Sequence, residues 1–243
     1  MNSAIKELLT HTAHRKFPIP KRKWDYYLEW LNALFIHWKI NYDELRKLVP
    51  KELEIDLMNG ESWVSLVLFD MKNIRPRGIP PLAAVSDFHE INLRTYVTHN
   101  GIPGVYFISM EGHKALSVFV TKLLTGFPYI KSDMQFQKGH YNSVNVRNNL
   151  KLDIEFEGRQ AIEAPLEIAK WLTERYSVYD VKKGKKVRFI VHHKPWPLQQ
   201  VKLINAQMHY RIGEVELNEH VPDLVHYSDG VKVVAWGKET LKD

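Results

Sequence analysis

Cysteine is absent from this chain of 243 residues. That excludes disulfides, thiolate zinc sites and a cysteine nucleophile, and it fits a cytoplasmic protein. No run approaches the roughly 20 apolar residues of a membrane-spanning helix, and the longest, Trp63 to Phe69, has strand length. The first residues carry no apolar stretch of the secretory type. These absences set the expectation of a soluble, cytoplasmic protein with no membrane partner. G-x-S-x-G, P-loop and G-x-G-x-x-G patterns are also missing, so serine hydrolase, NTPase and dinucleotide-binding readings lack support. The twelve histidines include no His-x-His or HExxH spacing. His192 and His193 are adjacent and would face opposite sides of a strand. His37, between Ile36 and Trp38, reads as a hydrogen-bonded core histidine. Neither a metal nor a cofactor is expected.

What is present favours a large β architecture. Hydrophobic residues make up 44% of the chain, enough for a substantial core in one domain over 1–243. Seven Trp, eleven Tyr and ten Phe suit strands or the walls of a pocket. The net charge of +6 is concentrated in Lys21-Arg22-Lys23 and in Lys182-Lys183-Gly184-Lys185-Lys186. The second cluster surrounds a glycine between two strand-like runs, where a solvated hairpin tip belongs. No helix-turn-helix, RRM or zinc-finger pattern accompanies either cluster, so no nucleic-acid partner is expected.

Residues 1–23 read as an N-terminal helix, Asn2 to Thr10, followed by a polar lead. Tyr26 to Ile40 is a long aromatic strand. Asn41, with Glu44 three residues on, has capping-box spacing for a short helix that Pro50 closes. Asn59-Gly60 predicts a hairpin pairing Leu53–Met58 with Ser62–Ile74. A Pro-rich loop from Arg75 to Asp87 precedes strands at Glu90–Thr98 and Val105–Met110, joined by a turn at Asn100-Gly101. His113 to Leu124 has helical period and stops at Gly126 and Pro128. Strands dominate from Tyr129 onward, interrupted by a helix over Pro165–Thr173. The last strand-like runs are Leu224–Tyr227 and Val231–Trp236. The fold class is mainly β (α+β), an antiparallel barrel-like domain with a few short peripheral helices.

Several phrases carry a family resemblance. They are Arg75-Pro76-Arg77-Gly78-Ile79-Pro80-Pro81, Glu90-Ile91-Asn92-Leu93-Arg94-Thr95-Tyr96-Val97, Leu172-Thr173-Glu174-Arg175-Tyr176 and His192-His193-Lys194-Pro195-Trp196-Pro197-Leu198. With the strand, DELRKLVP, LEID, strand order of residues 28–71, they resemble the YqjF-like branch of the acetoacetate decarboxylase superfamily, a group of uncharacterised proteins. The resemblance implies a closed or nearly closed barrel around a cavity. It also implies a test of chemistry. The superfamily's Schiff-base lysine pair follows a Tyr-Pro, and the equivalent residues after Phe127-Pro128 are Tyr129 and Ile130. Neither forms an imine. Lys131 lies one residue further on and, in a strand, on the opposite face from Ile130. The family's arginine falls on Leu28 and one glutamate near Ser65, while another glutamate is matched by Glu90.

Glu90, Asn92, Arg94 and Tyr96 share one strand face, and Ile91, Leu93, Thr95 and Val97 share the other. The first face is either a solvated surface with a weak Glu90–Arg94 ion pair or the polar wall of a cavity. In the second reading Glu90 is the catalytic acid–base candidate. Asn92, Arg94, Tyr96, Tyr106, Tyr129, Arg75 and Arg77 are then the ligand-binding candidates. Trp196 reads as a plug over one barrel end. The function expected is binding of a small organic acid or carbonyl compound in a barrel cavity, without Schiff-base decarboxylation. The alternative is a lyase, hydratase or isomerase step using Glu90. A homo-oligomer is left open.

Overall fold

Local signals set the element boundaries in the computed structural model, which describes residues 3–217 and 221–241. Helix α1 (Ser3–Thr10) and the polar lead precede strand β1 (Tyr26–Ile40). Asn41 ends β1 and caps helix α2 (Tyr42–Arg46), its Oδ1 accepting from the amides of Asp43 and Glu44 at 2.9 and 3.2 Å. The helix stops ahead of Pro50, and the Arg46 guanidinium donates to the carbonyls of Val49, Pro50 and Leu53 across the following turn.

At Asn59-Gly60 both residues take the positive φ, 54° and 82°, that a two-residue hairpin requires. The hairpin is shorter than expected. One bridge, Met58 to Glu61, joins its arms. The arm predicted to pair with β3 (Ser62–Pro76) instead supplies β2 (Glu54–Ile55), which pairs with β4 (Phe88–His99). Helix α3 (Ala83–Ser86) sits in the Pro-rich loop, and β4 turns at Asn100-Gly101 into β5 (Ile102–Gly112). Helix α4 (Ala115–Thr125) ends at left-handed Gly126, whose amide donates to the Lys122 carbonyl.

Short strands β6 (Tyr129–Lys131), β7 (Asp133–Gln137), β8 (His140–Asn145) and β9 (Leu150–Ala161) follow, then helix α5 (Glu167–Thr173). The basic hairpin is β10 (Ser177–Lys182) and β11 (Lys185–His193), with Lys183 and Gly184 at its tip. After β12 (Leu198–His209) and the small pair β13 (Arg211–Ile212) and β14 (Val215–Glu216), the two expected final strands are one, β15 (Leu224–Thr240). Gly230 makes that continuity feasible. Its φ is 129°, and a Cβ there would lie 2.2 Å from the Trp30 carbonyl oxygen.

Pairings run β1–β3–β4–β5–β10–β11–β15 and return to β1, whose register with β15 extends from Tyr26↔Ala235 to His37↔Leu224. The wall is barrel-like and mainly antiparallel. It is not wholly so, because β5 meets β10 through the single parallel pair Val105↔Val178 and also takes β6 in parallel. From the Leu198↔Ser228 end of β15, the sheet continues outward through β12, β9, β8 and β7.

Strands β1, β3 and β4 are therefore covered on both faces. Leu34, Ile36, Val64, Leu66, Ile91 and Leu93 face outward into a core shared with Leu152, Ile154 and Phe156 of β9. Phe35, Val67, Phe69, Met110 and Phe127 belong to the inner core. Burial at about 25 cal/mol per Å² of apolar surface makes this double layer the main stabilising feature. Helix α1 adds a third, smaller cluster, setting Ile5 and Leu8 against Trp24, Ile190 and Trp236. Among the described residues no helix is long and apolar enough to cross a membrane.

Candidate functional site

The alternation of β4 decides what faces inward. Glu90 and Asn92 are 2% and 3% exposed, and with Arg94 they line a cavity of about 370 Å³ inside the barrel-like wall. Register fixes their depth. Phe69 is opposite Glu90, Val67 opposite Asn92 and Ser65 opposite Arg94. Exposed lining residues Pro76 and Lys238 mark the open end, with Glu90 on that side along β4 and half-buried Arg94 toward the far end. Trp30, Phe35, Phe107, Phe127 and Phe189 give the cavity a largely apolar wall.

Tyr129 reaches Glu90 because β6 runs parallel to β5, placing Tyr129 beside Met110. Its hydroxyl donates to Glu90 Oε2 at 2.7 Å, and Asn92 Nδ2 donates to Glu90 Oε1 at 3.3 Å. Burial pushes the Glu90 carboxyl up to about 7, against the opposing effect of these two hydrogen bonds. Burial, and then the neighbouring carboxylate, push the Tyr129 phenol well above its usual range. The pair can thus hold or release one proton at Glu90 near neutrality, while the phenol stays protonated.

The inner end is cationic. Arg94 Nη2 donates to the Leu172 carbonyl at 3.1 Å, and its Nε is buried without a partner. Arg175, just beyond α5, pairs with Asp56 at 2.5 Å and donates from Nε to the Trp171 carbonyl, which leaves Nη2 buried and unpartnered. His193 lines the cavity between Trp30 and Trp196, and burial lowers its imidazole to about 3, so it is neutral. Trp196 stacks on Trp30 and meets Phe35 edge-on, forming part of the cavity wall.

Not every sequence candidate reaches this space. Arg75 lines the open end, with its guanidinium 4.2 Å over the Tyr27 ring. Arg77 is exposed on the loop beyond β3 and is absent from the lining. Tyr106 faces away, because it pairs with outward-facing Thr95 and packs on the outer core. Tyr96 is fully buried below the cavity, its hydroxyl bonded to Ser65 Oγ, which also meets His37 Nδ1. The Glu90–Arg94 ion pair that belonged to the solvated-surface reading is absent among the described residues. Two strand steps of two residues separate them by roughly 13 Å. Leu28 lines the cavity, Ser65 does not, and exposed Lys131 is bonded to Asp133 instead.

Arg175, His193 and Phe107 join the site without having been singled out by sequence. Arg175 and His193 do fall within the quoted family phrases, which was the one signal available for them. Among the described residues no group of three or more His, Cys, Asp or Glu side chains is placed to hold a metal ion.

A mainly antiparallel, barrel-like sheet of this kind is the acetoacetate decarboxylase type of fold. Solved structures share it. An acetoacetate decarboxylase superposes with a TM-score of 0.59 at 17% identity, covering 98% of this chain and 96% of that one. The enduracididine biosynthesis enzyme MppR complexed with pyruvate gives 0.57 at 10% identity over 94% of each chain. At such identities the likeness concerns the fold. Within this class the chain belongs to the DUF2071 family, "Uncharacterized conserved protein", which its residues 27–232 match. The uncharacterized protein YqjF of Bacillus subtilis (strain 168) is 34% identical over 235 residues, 91% of this chain and 95% of that protein.

Proposed function

We propose that the cavity binds a small organic acid or carbonyl compound without forming an imine. The observation that carries this reading is Tyr129. It occupies the first position after Phe127-Pro128, where the superfamily resemblance places a lysine, and its hydroxyl is bonded to Glu90. A phenol cannot condense with a ketone, but a phenol beside a carboxyl can hydrogen-bond a carbonyl oxygen. Among the described lining residues the lysine is Lys238, exposed at the rim. MppR has been solved with pyruvate, an oxo acid, which supports trying carbonyl acids as ligands of this cavity.

A second reading is favoured by Glu90 itself. A carboxyl with a pKa of about 7 is matched to proton transfer at neutral pH. It would serve an enolisation, hydration or lyase step on the bound carbonyl compound, with Glu90 as the acid–base. One experiment separates these readings from imine chemistry. Incubation with acetoacetate and borohydride should leave the intact mass unchanged, and a stoichiometric lysine adduct would refute the proposal. A metabolite screen by thermal shift then separates binder from enzyme. Hits recovered intact after hours mark a binder, whereas conversion that disappears in Glu90→Gln marks the acid–base role.

A further inference from the structure

We infer that the cavity selects a carboxylate carried on an apolar chain, its anionic head held at the inner end by Arg94 and Arg175, with a hydroxyl or carbonyl further along the chain at Glu90. This rests on the binding role proposed above and specifies the class of ligand.

The first observation is an unbalanced charge. Arg94 and Arg175 meet at the same end of the cavity, yet Asp56 is the one carboxylate in ion-pair contact with either among the described residues. Enclosed Arg175 has Asp56, whereas half-buried Arg94 has no carboxylate beside it, and a ligand anion would supply that missing counter-charge where screening by water is reduced. Arg175 is nearly enclosed, its side chain 3% exposed and clamped over the Tyr96 and Trp171 rings at 4.9 and 4.1 Å. It is thus pre-positioned, with one donor edge left over.

The second observation is the set of unpartnered atoms in the lining. Arg94 Nε, Arg175 Nη2 and Trp30 Nε1 are buried donors without acceptors, and Asn92 Oδ1 is a buried acceptor without a donor. An occupant that satisfies them presents acceptors at the arginines and a donor beside Asn92. A carboxylate accepts from two guanidiniums at once, and a hydroxyl further along both donates and accepts.

The third observation is spacing. Glu90 and Arg94 are four residues apart on β4, roughly 13 Å of strand rise before their side chains lean inward. Phe35, Val67, Phe107 and Met110 line the wall beside that interval. A 3-oxo acid such as acetoacetate carries its carbonyl next but one to the carboxyl carbon and cannot touch both ends. A longer hydroxy or oxo acid can.

Calorimetric titration of the intact chain at pH 7 tests this with octanoate, 8-hydroxyoctanoate, methyl octanoate and acetoacetate. Octanoate should bind at least about tenfold more tightly than its ester, the size of one charge-assisted contact. 8-Hydroxyoctanoate should bind more tightly still, and acetoacetate most weakly among the acids. The acid-over-ester preference should vanish in Arg94→Gln and persist in part in Arg94→Lys. Equal binding of acid and ester by the wild type would overturn the inference while sparing the cavity as a binding site. A preference unchanged in Arg94→Gln would do the same. Failure of all four probes to bind would overturn the binding role as well.

Discussion

Glu90 keeps its proton to about pH 7 because burial penalises the carboxylate more than Tyr129 and Asn92 favour it. In the unfolded chain it titrates near 4.5. Between those values the native state holds a proton that the unfolded state has lost. The Glu90 contribution to stability is therefore full below pH 4.5 and falls as pH rises toward 7, by about 3 kcal/mol in all. Glu90→Gln, a permanently neutral isostere, removes that slope. Its stability relative to wild type, measured by urea unfolding, should rise by about this amount between pH 4.5 and 8, and a constant difference would contradict the burial argument. Much at this scale was legible beforehand. Strand alternation placed Glu90, Asn92 and Arg94 on one face and Ile91 and Leu93 on the other. Tyr106 was misassigned because the face a residue takes on β5 depends on its pairing with Thr95, and pairing is not written in local sequence. Arg175 went unremarked because its partner Asp56 is 119 residues away.

Elements were legible where capping or turn chemistry is local. The Asn41 cap, the Gly126 stop and the Asn59-Gly60 and Asn100-Gly101 turns all follow from side chains next to the backbone they satisfy. Partner choice was not. Residues 54–55 leave the hairpin for β4, and residues 224–240 form one strand across Ser228-Asp229-Gly230, a sequence that otherwise signals a turn. Gly230 is the residue on which that last point depends. With φ of 129° and the Trp30 carbonyl oxygen 2.2 Å from a built Cβ, Gly230→Ala must push β1 from β15. We expect a loss of roughly 3 kcal/mol or more in unfolding free energy. A midpoint in urea equal to wild type would show that the seam can open at little cost.

At the scale of the whole molecule, burial of imidazoles sets the response to acid. His193, His113, His192 and His226 are lowered to between about 3 and 4, in each case chiefly by burial. Unfolded histidine takes up its proton near 6.5, so the unfolded state binds more protons than the native one below that pH. Stability should fall as pH drops from 6.5 toward 4, at about 1.4 kcal/mol per pH unit for enclosed His193, with His113, His192 and His226 adding in the same sense. Glu90 works in the opposite sense over part of this range, so Glu90→Gln should lose stability in acid more steeply than wild type. Urea midpoints between pH 4 and 7 decide it, and a flat profile would mean these rings are not held neutral.

Strand β4 stands between two interiors, with the cavity on one side and the packing of the outer sheet on the other. A single-residue deletion anywhere between 88 and 99 would rotate the remainder of the strand by one position. Isoleucine and leucine would then turn toward the cavity, and carboxamide and guanidinium into the outer packing. A strand polar on both faces could absorb such a slip at modest cost. This one has no tolerant side to turn to. Changes of length in this lineage should accordingly be confined to connections such as 77–87 and 213–214, and β4 should diverge by replacement of one side chain at a time.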